Sequence, residues 1–206
     1  MTDRPTAKRN AILEAAAGVF LANGYVGASM DEVAARAAVS KQTVYKHFAS
    51  KEKLFAELVL GSVGQVDQLV RDRVARLADS ADLERDLTDL AGGLVGFLMQ
   101  PNVMRLRRLV IAEADRFPAL GHTFYEGGPE RVAGALGQTF AVLTRRGRLR
   151  AADPVLAAYH FCWLVLSIPW NRVLFAGNGQ LPDQAEIDRV VTAGVQAFLR
   201  GYAVSG

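Results

Sequence analysis

The stretch "VSKQTVYKHF", residues 39–48, decides how the N-terminal part of the chain folds. On a helical wheel of about 100° per residue, Val44 and Phe48 fall on one side, whereas Gln42, Tyr45 and Lys46 fall on the other. A short helix with so few apolar residues can bury only a narrow face. The pattern therefore predicts a helix that packs through Val44 and Phe48 and presents polar side chains outward.

Signals for three further helices surround this one. Apolar residues recur with helical spacing in "AKRNAILEAAAGVFLANGY", and Gly24 is a typical C-terminal stop. In "SMDE", Ser29 can cap the second helix while Glu32 reaches back to complete a capping box. Ser40 and Ser50 stand at the starts of the third and fourth helices. Short turns therefore join four helices within about the first 60 residues.

The second and third helices have the spacing of a helix-turn-helix. Ala34 is a small residue where the two helices would cross, Ala38 occupies the turn, and Val44 would lock the second helix of the pair. Such a unit lays its second helix in the major groove of DNA. Double-stranded DNA is therefore the expected partner, and the outward side chains are the candidate readers.

The distribution of charge agrees with a polyanionic partner. The net charge is only +3, but residues 1–53 hold eight of the 24 basic side chains, including all five lysines, against five of the 21 acidic ones. The remaining segment carries 16 arginines and 16 acidic residues. A basic segment on a neutral body favours nucleic acid, although a merely solvated basic surface has the same composition.

Residues 7–55 resemble the tetracycline-repressor (TetR) family of bacterial transcription regulators. The resemblance rests on "ILEAAAGVFLANGY" and "SMDEVAARAAVSKQTVYKHFASKEKLF". It implies an all-α protein with a three-helix DNA-binding module over residues 1–50 and a helical effector-binding and dimerisation domain over 51–206. Ala38 replaces the glycine that is usual in the turn, and a left-handed alanine costs about 1 kcal/mol.

The resemblance also assigns candidate DNA contacts. Base edges or nearby phosphates would be reached by a set of polar side chains on the third helix and one at the start of the fourth: Lys41, Gln42, Thr43, Tyr45, Lys46, His47 and Lys51. The alternatives are a solvated polar face for the set and a half-buried packing role for His47. Arg4, Lys8 and Arg9 form a basic arm that could follow the DNA backbone, or a frayed terminus.

Beyond residue 55 the apolar periodicity is helical throughout. It predicts helices near residues 51–78, 82–99, 102–116, 118–126, 129–147, 153–176 and 183–202. The segment 155–170 is apolar on nearly every side, with Pro169 expected to kink it. A partner subunit would cover its second face, with Gly194 in the last helix allowing close approach. A homodimer is therefore expected, and an ordinary intrachain core helix is the alternative.

The middle region, "EADRFPALGHTFYEGGPERVAGAL" with "GRLRAADPVLAA", resembles the AefR-like subgroup of the same family. This resemblance implies a pocket for a small-molecule effector. Candidate lining residues are bulky or weakly polar: Phe97, Met104, Tyr125, His160, Trp163, Ser167 and Trp170. The alternative for each of these residues is a place in the apolar core without contact to a ligand. Aromatic walls with few polar groups suit an apolar or aromatic effector.

Other classes of function find little support. Three histidines and the single Cys162 have no metal-ligand spacing, and no nucleophile, base and acid stand in a recognisable order. No cofactor and no catalysis are expected. The apolar run is too short for a membrane span, and "MTDRPTAKRN" has no signal-peptide core, which indicates the cytoplasm. The sequence thus predicts a ligand-responsive transcriptional repressor that binds a palindromic operator; the alternative is a regulator or architectural DNA binder without an effector.

Overall fold

The computed structural model describes residues 4–176 and 180–204, and its regular structure there is helical, which confirms the predicted all-α class. The helices are α1 (Arg4–Gly27), α2 (Met30–Arg36), α3 (Lys41–His47), α4 (Lys51–Leu77), α5 (Leu83–Leu98), α6 (Pro101–Glu113), α7 (Pro118–Tyr125), α8 (Arg131–Arg145), α9 (Pro154–Ala176) and α10 (Gln184–Tyr202). A π-helical turn, Glu126–Glu130, joins α7 to α8. Within the described ranges, no helix is long and apolar enough to cross a membrane.

The chain divides into two compact units. Unit 1 comprises the residues up to 63 together with 105–124, and unit 2 comprises 64–104 together with the residues from 125 onward. This division differs from the predicted domain boundary at residue 50. The physical reason is that Leu54, Phe55 and Val59 of α4 are buried in the same core as α1, as are Leu106 and Val110 of α6.

Unit 1 has its own apolar core. The helical repeat predicted in α1 is confirmed, because Ile12, Ala16, Val19 and Phe20 are all buried. They meet buried residues of the next three helices and of α6: Met30, Val33, Ala34, Val44, Phe48, Leu54, Phe55, Val59, Leu106 and Val110. Apolar residues from five helices therefore hold the short α2 and α3 in place.

The polar signals at the helix ends operate largely as predicted. The hydroxyl oxygens of Ser29 and Ser40 accept hydrogen bonds from the main-chain N–H groups of Glu32 and Thr43, each at 3.2 Å. Gly24 interrupts α1 with φ 69°. The capping box is only half formed, because the carboxylate of Glu32 accepts from the Asn23 side chain at 2.7 Å.

Unit 2 is built around α9, which packs against α8 and α10, while α10 also packs against α5. Its centre is an aromatic cluster in which the rings of Phe140 and Phe198 lie 5.1 Å apart and those of Phe161 and Phe198 lie 5.3 Å apart. All three side chains are buried. The described part of α9 continues through Pro169 to Ala176.

Helix α9 has two apolar faces with different surroundings. One face is buried in unit 2, with Ala157, Phe161 and Val165 fully covered. The other is open in the single chain: Leu156, Trp163, Leu164 and Ile168 are between 39% and 58% exposed. The chain therefore covers only one side of a helix that is apolar on both.

Gly194 has a different role from the one the sequence suggested. A Cβ at this position would lie 2.8 Å from the main-chain oxygen of Leu164 and 2.9 Å from Cγ1 of Val165. Gly194 thus permits the close approach of α10 to α9 within one chain. The expectation that this glycine faces a partner is corrected by that contact.

Candidate nucleic-acid interface and effector region

Helix α3 is held by one fully buried residue, Val44, and by Phe48 at its C-terminal end, which is 3% exposed. The side chains of Lys41, Gln42, Tyr45 and Lys46 are exposed, whereas Thr43 and His47 are half-buried. This is the division between packing and presenting faces that the sequence predicted. The arrangement offers a polar, cationic helix surface of the size that enters a major groove.

The turn before α3 is closed by a left-handed alanine. Ala38 has φ 52°, and it is the one non-glycine residue with positive φ in the described part of the chain. Its N–H donates to the oxygen of Ala35 at 3.2 Å, and the N–H of Val39 donates to the oxygen of Ala34 at 3.1 Å. These bonds form a Schellman motif, which usually has glycine at the left-handed position.

Intramolecular contacts distinguish the candidate readers. The ammonium of Lys41 lies 2.7 Å from a carboxylate oxygen of Asp31, and this partner raises the pKa of Lys41. The hydroxyl groups of Thr43 and Ser40 lie 2.8 Å apart. Within the described residues, the side chains of Gln42, Tyr45 and Lys46 form no hydrogen bond or ion pair. Those last side chains are therefore available without breaking an existing contact.

Lys51, the remaining candidate reader, is engaged inside unit 1. Its ammonium donates to the main-chain oxygens of Tyr25 and Ala28, each at 2.9 Å, and to that of Val26 at 3.4 Å. An ammonium has three N–H donors, so none remains for a phosphate in this arrangement. Lys51 satisfies the carbonyl groups at the C-terminal end of α1, a role that sequence reasoning missed because the partners lie far away in the chain.

Arg9, one residue of the predicted basic arm, also forms intramolecular contacts. Arg9 forms an ion pair with Glu57 at 2.5 Å, and its guanidinium lies 5.3 Å from the ring centre of Phe48. Lys8 is exposed within α1. The side chain of Arg4 lies outside the described part of the structure. Arg9 therefore fastens α1 to α4 and to the end of α3, which corrects the expectation of a free terminal arm at this residue.

The Tyr25 ring links several elements of unit 1. It is 2% exposed, its hydroxyl donates to the Glu52 carboxylate at 3.0 Å, and its ring centre lies 5.2 Å from that of Phe55 and 4.8 Å from that of Phe117. Burial, followed by the hydrogen bond with Glu52, raises the pKa of Tyr25. The phenol therefore stays protonated and joins the end of α1 to α4 and to the residue before α7.

The seven candidate effector residues lie in unit 2 in different environments. Met104 is fully buried, Trp170 is 9% exposed, and Phe97 and Ser167 are half-buried. Tyr125, His160 and Trp163 are exposed. The His160 Nδ1 lies 2.6 Å from the Tyr202 hydroxyl, and the Trp163 ring lies 6.2 Å from that of Trp170.

The members of this set differ in burial and in neighbours, and their grouping around one pocket remains a prediction. Trp163, at 52% exposure, lies on the open face of α9, and Met104 belongs to the core of unit 2. The periodicity of α9 could not separate a lining residue from a surface residue, because both of its faces are apolar. Trp170 belongs to the core of unit 2 and Phe97 packs against it, while the hydroxyl oxygen of Tyr125 lies 3.4 Å from that of Tyr159.

The single cysteine of the chain, Cys162, lies in unit 2. Burial raises the pKa of the Cys162 thiol to about 12, so it is protonated near neutral pH and is a poor nucleophile. Among the described residues, no group of three or more His, Cys, Asp or Glu side chains could hold a metal ion.

Comparison with protein families identifies both regions. Residues 12–58 match the model of bacterial regulatory proteins of the tetR family, and residues 85–204 match the C-terminal domain of AefR-like transcriptional repressors. Among curated proteins, the chain is 38% identical over 73 residues to the transcriptional activator FasR of Mycolicibacterium smegmatis, a match that spans 35% of this chain and 33% of FasR. The chain thus matches about a third of the length of that relative.

Similarity to solved structures extends over the whole chain. A protein of Mesorhizobium loti MAFF303099 assigned to the TetR family of transcriptional regulators is 42% identical, with a TM-score of 0.91 over 98% of this chain and 100% of that one. The flavonoid-responsive regulator FrrA is 31% identical, with a TM-score of 0.77 over 97% of this chain and 99% of that one. These matched proteins are regulators and not enzymes. The chain belongs to the TetR family of bacterial transcriptional regulators.

Proposed function

We propose that this regulator binds a palindromic DNA operator as a homodimer, represses transcription, and is released by a small apolar or aromatic effector. The observation that carries the proposal is the outward polar face of α3. Gln42, Tyr45 and Lys46 are exposed there and are free of intramolecular hydrogen bonds within the described residues. Such a regulator would act in the cytoplasm, where bacterial DNA lies.

The six candidate residues of α3 have graded roles in this proposal. Gln42 and Tyr45, which are exposed, would reach base edges, and Lys46 would pair with a phosphate. Lys41 and Thr43 would exchange their present partners, Asp31 and Ser40, for DNA. His47 is half-buried and would contact DNA from the edge of the face. Lys51 would contribute indirectly, by closing the end of α1.

The open face of α9 supports the homodimer. Four large apolar side chains are exposed on this face, among them Trp163 at 52% and Ile168 at 58%, with Leu156 and Leu164. A contiguous exposed apolar surface usually marks an interface. A partner subunit related by a two-fold axis beside α9 and α10 would cover this surface. The dimer would then place one α3 helix on each half of a palindrome.

The effector class rests on two comparisons. The AefR-like match covers the C-terminal domain, and FrrA, similar over nearly the whole chain, is described as flavonoid-responsive. An aromatic effector would act only through a difference in its affinity for the operator-bound and free forms. FasR is named an activator, so the direction of regulation is the part of the proposal that transcription assays must decide.

Selection of DNA by the purified protein tests the proposal. Genomic fragments retained by the protein should share an inverted repeat whose half-sites lie about one helical turn apart, with two chains bound per repeat. A panel of flavonoids and other small aromatic compounds should contain members that lower affinity for this repeat. Retained DNA without an inverted repeat would contradict the operator proposal, and a specific repeat that no compound affects would favour the binder without an effector.

A further inference from the structure

A groove in unit 1 is separate from the predicted effector residues. It has a volume of about 500 Å³ and lies among the end of α1, the first turns of α4 and the start of α7. Aromatic rings from Tyr25, Phe55 and Phe117 line it, together with the aliphatic side chains of Ala56 and Leu60. None of the seven candidate effector residues is among its lining residues.

The groove has the size and surface of a small-molecule site. Ligand sites typically enclose about 300–1,000 Å³ and are mostly apolar, with few polar groups that fix orientation. Tyr25 and Phe55 are almost completely buried, so the back wall is fixed by the core of unit 1. Leu60, 47% exposed, stands on the open side. An apolar molecule could bind there without displacing a core residue.

The charges around the groove favour an anion. Lys53 and Arg116 line it, and Glu52 is the one acidic side chain among its lining residues. Glu52 accepts from the Tyr25 hydroxyl, and hydrogen bonds, first with Ser50, lower the pKa of Glu52, so its charge is present at neutral pH and already has donors. The lining residues therefore carry two cations and one anion, while Glu113, whose carboxylate also acts on Tyr25, is not among them.

Arg116 is the best placed of these groups. Its guanidinium lies 5.5 Å from the ring centre of Tyr25 and 5.2 Å from that of Phe117, so it stands over the aromatic wall. It is exposed, and among the described residues no carboxylate pairs with it. A guanidinium presents a planar set of N–H donors that matches a carboxylate in two parallel hydrogen bonds.

We propose that this groove of unit 1 binds a small apolar carboxylate, whose chain or ring packs on Tyr25, Phe55 and Phe117 and whose carboxylate pairs with Arg116. The site goes beyond the proposed effector function, because it lies in the unit that carries α3. A bound molecule would contact Tyr25, whose main-chain oxygen accepts from Lys51 and whose hydroxyl donates to Glu52.

Calorimetric titration of the full chain with decanoate tests the charge requirement, with decan-1-ol as the neutral probe of equal length. Replacing Arg116 with Gln should weaken decanoate binding roughly fivefold, as expected for loss of one exposed ion pair, and should leave decan-1-ol binding unchanged. Arg116→Lys should bind decanoate with an affinity between those of the parent and Arg116→Gln, because the charge is kept but the paired hydrogen bonds are lost. Arg85→Gln, an exposed change on α5, is the control and should bind as the parent does.

A second variant and a location measurement protect the test from indirect effects. Leu60→Glu places a carboxylate on the open side of the groove, where it would repel the carboxylate of decanoate. This variant should therefore weaken the binding of decanoate more than the binding of decan-1-ol. A photoreactive diazirine analogue of decanoate should label residues of α4 and α7 that line the groove. Labelling confined to unit 2, or affinity unchanged by Arg116→Gln and Leu60→Glu together, would overturn the proposal. Neither measurement requires an operator, so failure of the proposed regulatory function would leave this result separate.

Discussion

The ammonium of Lys51 lies 2.9 Å from the main-chain oxygen of Tyr25 and 4.7 Å from the centre of the Tyr25 ring. One side chain at the start of α4 therefore satisfies carbonyl groups at the end of α1 and also stands against an aromatic face. Charged hydrogen bonds of this kind are worth more than neutral ones.

Replacing Lys51 with Met should lower the free energy of unfolding by about 1–3 kcal/mol, because the carbonyl groups of Tyr25 and Ala28 lose a charged donor. Chemical denaturation measures this change. Lys53→Met is the matched control two residues later, since that side chain is exposed, and should stay within about 0.5 kcal/mol of the parent. Equal stability of the two variants would contradict the role given to Lys51.

The left-handed conformation of Ala38 predicts a substitution that stabilises the protein. Ala38→Gly should raise the free energy of unfolding by about 1 kcal/mol, because glycine adopts φ 52° without a Cβ penalty. Ala35→Gly in the neighbouring helix α2 should instead lower it by about 0.5–1 kcal/mol. Thermal and denaturant unfolding of the pair would reveal the sign; destabilisation by both would mean that residue 38 is not strained.

Gly194 tests the packing of α10 on α9. Gly194→Ala should lower the free energy of unfolding by about 1–3 kcal/mol, because the added methyl group would meet the main-chain oxygen of Leu164 at 2.8 Å. Gly96→Ala is the control on α5, where an added Cβ has no neighbour within 4 Å. That control should be neutral or stabilising by up to about 1 kcal/mol. An unaffected Gly194→Ala protein would show that the two helices separate easily.

Trp163 tests the homodimer. Trp163→Glu should shift the protein from dimer to monomer at micromolar concentration, because a dimer would bury the new charge at a cost of several kcal/mol. Sedimentation velocity measures the shift. Ile111→Glu, an equally exposed apolar position at 57% on α6, is the control and should remain dimeric. A parent protein that sediments as a monomer would contradict the proposed interface.

Local signals in the sequence predicted much of the fold. Gly24, Ser29 and Ser40 act on residues only a few positions away, so their effects could be read from spacing alone. The same is true of Val44 and Phe48, whose burial follows from the helical repeat of α3. Short-range geometry therefore determined the helix bounds and the presenting face.

Contacts between distant residues could not be predicted in this way. Lys51 bonds to carbonyl groups that lie 23 to 26 residues away, and Arg9 pairs with Glu57 across 48 residues. Trp163 and Phe161 are both large and apolar on α9, yet one is exposed and the other buried. Hydrophobicity alone does not indicate which face of a helix is covered by the same chain, so the grouping of the seven candidate effector residues around one pocket remains a prediction.

The most direct test of the account is the salt dependence of binding to a selected inverted repeat, measured for the parent, Tyr45→Ala and Lys46→Gln, with Arg85→Gln as the control. Tyr45→Ala should bind at least about tenfold more weakly, since an exposed reader is lost while stability is kept. Lys46→Gln should lower affinity and reduce the slope of log affinity against log salt by about one per subunit. If both variants bind with the parent's affinity and slope, α3 is not the DNA-reading helix.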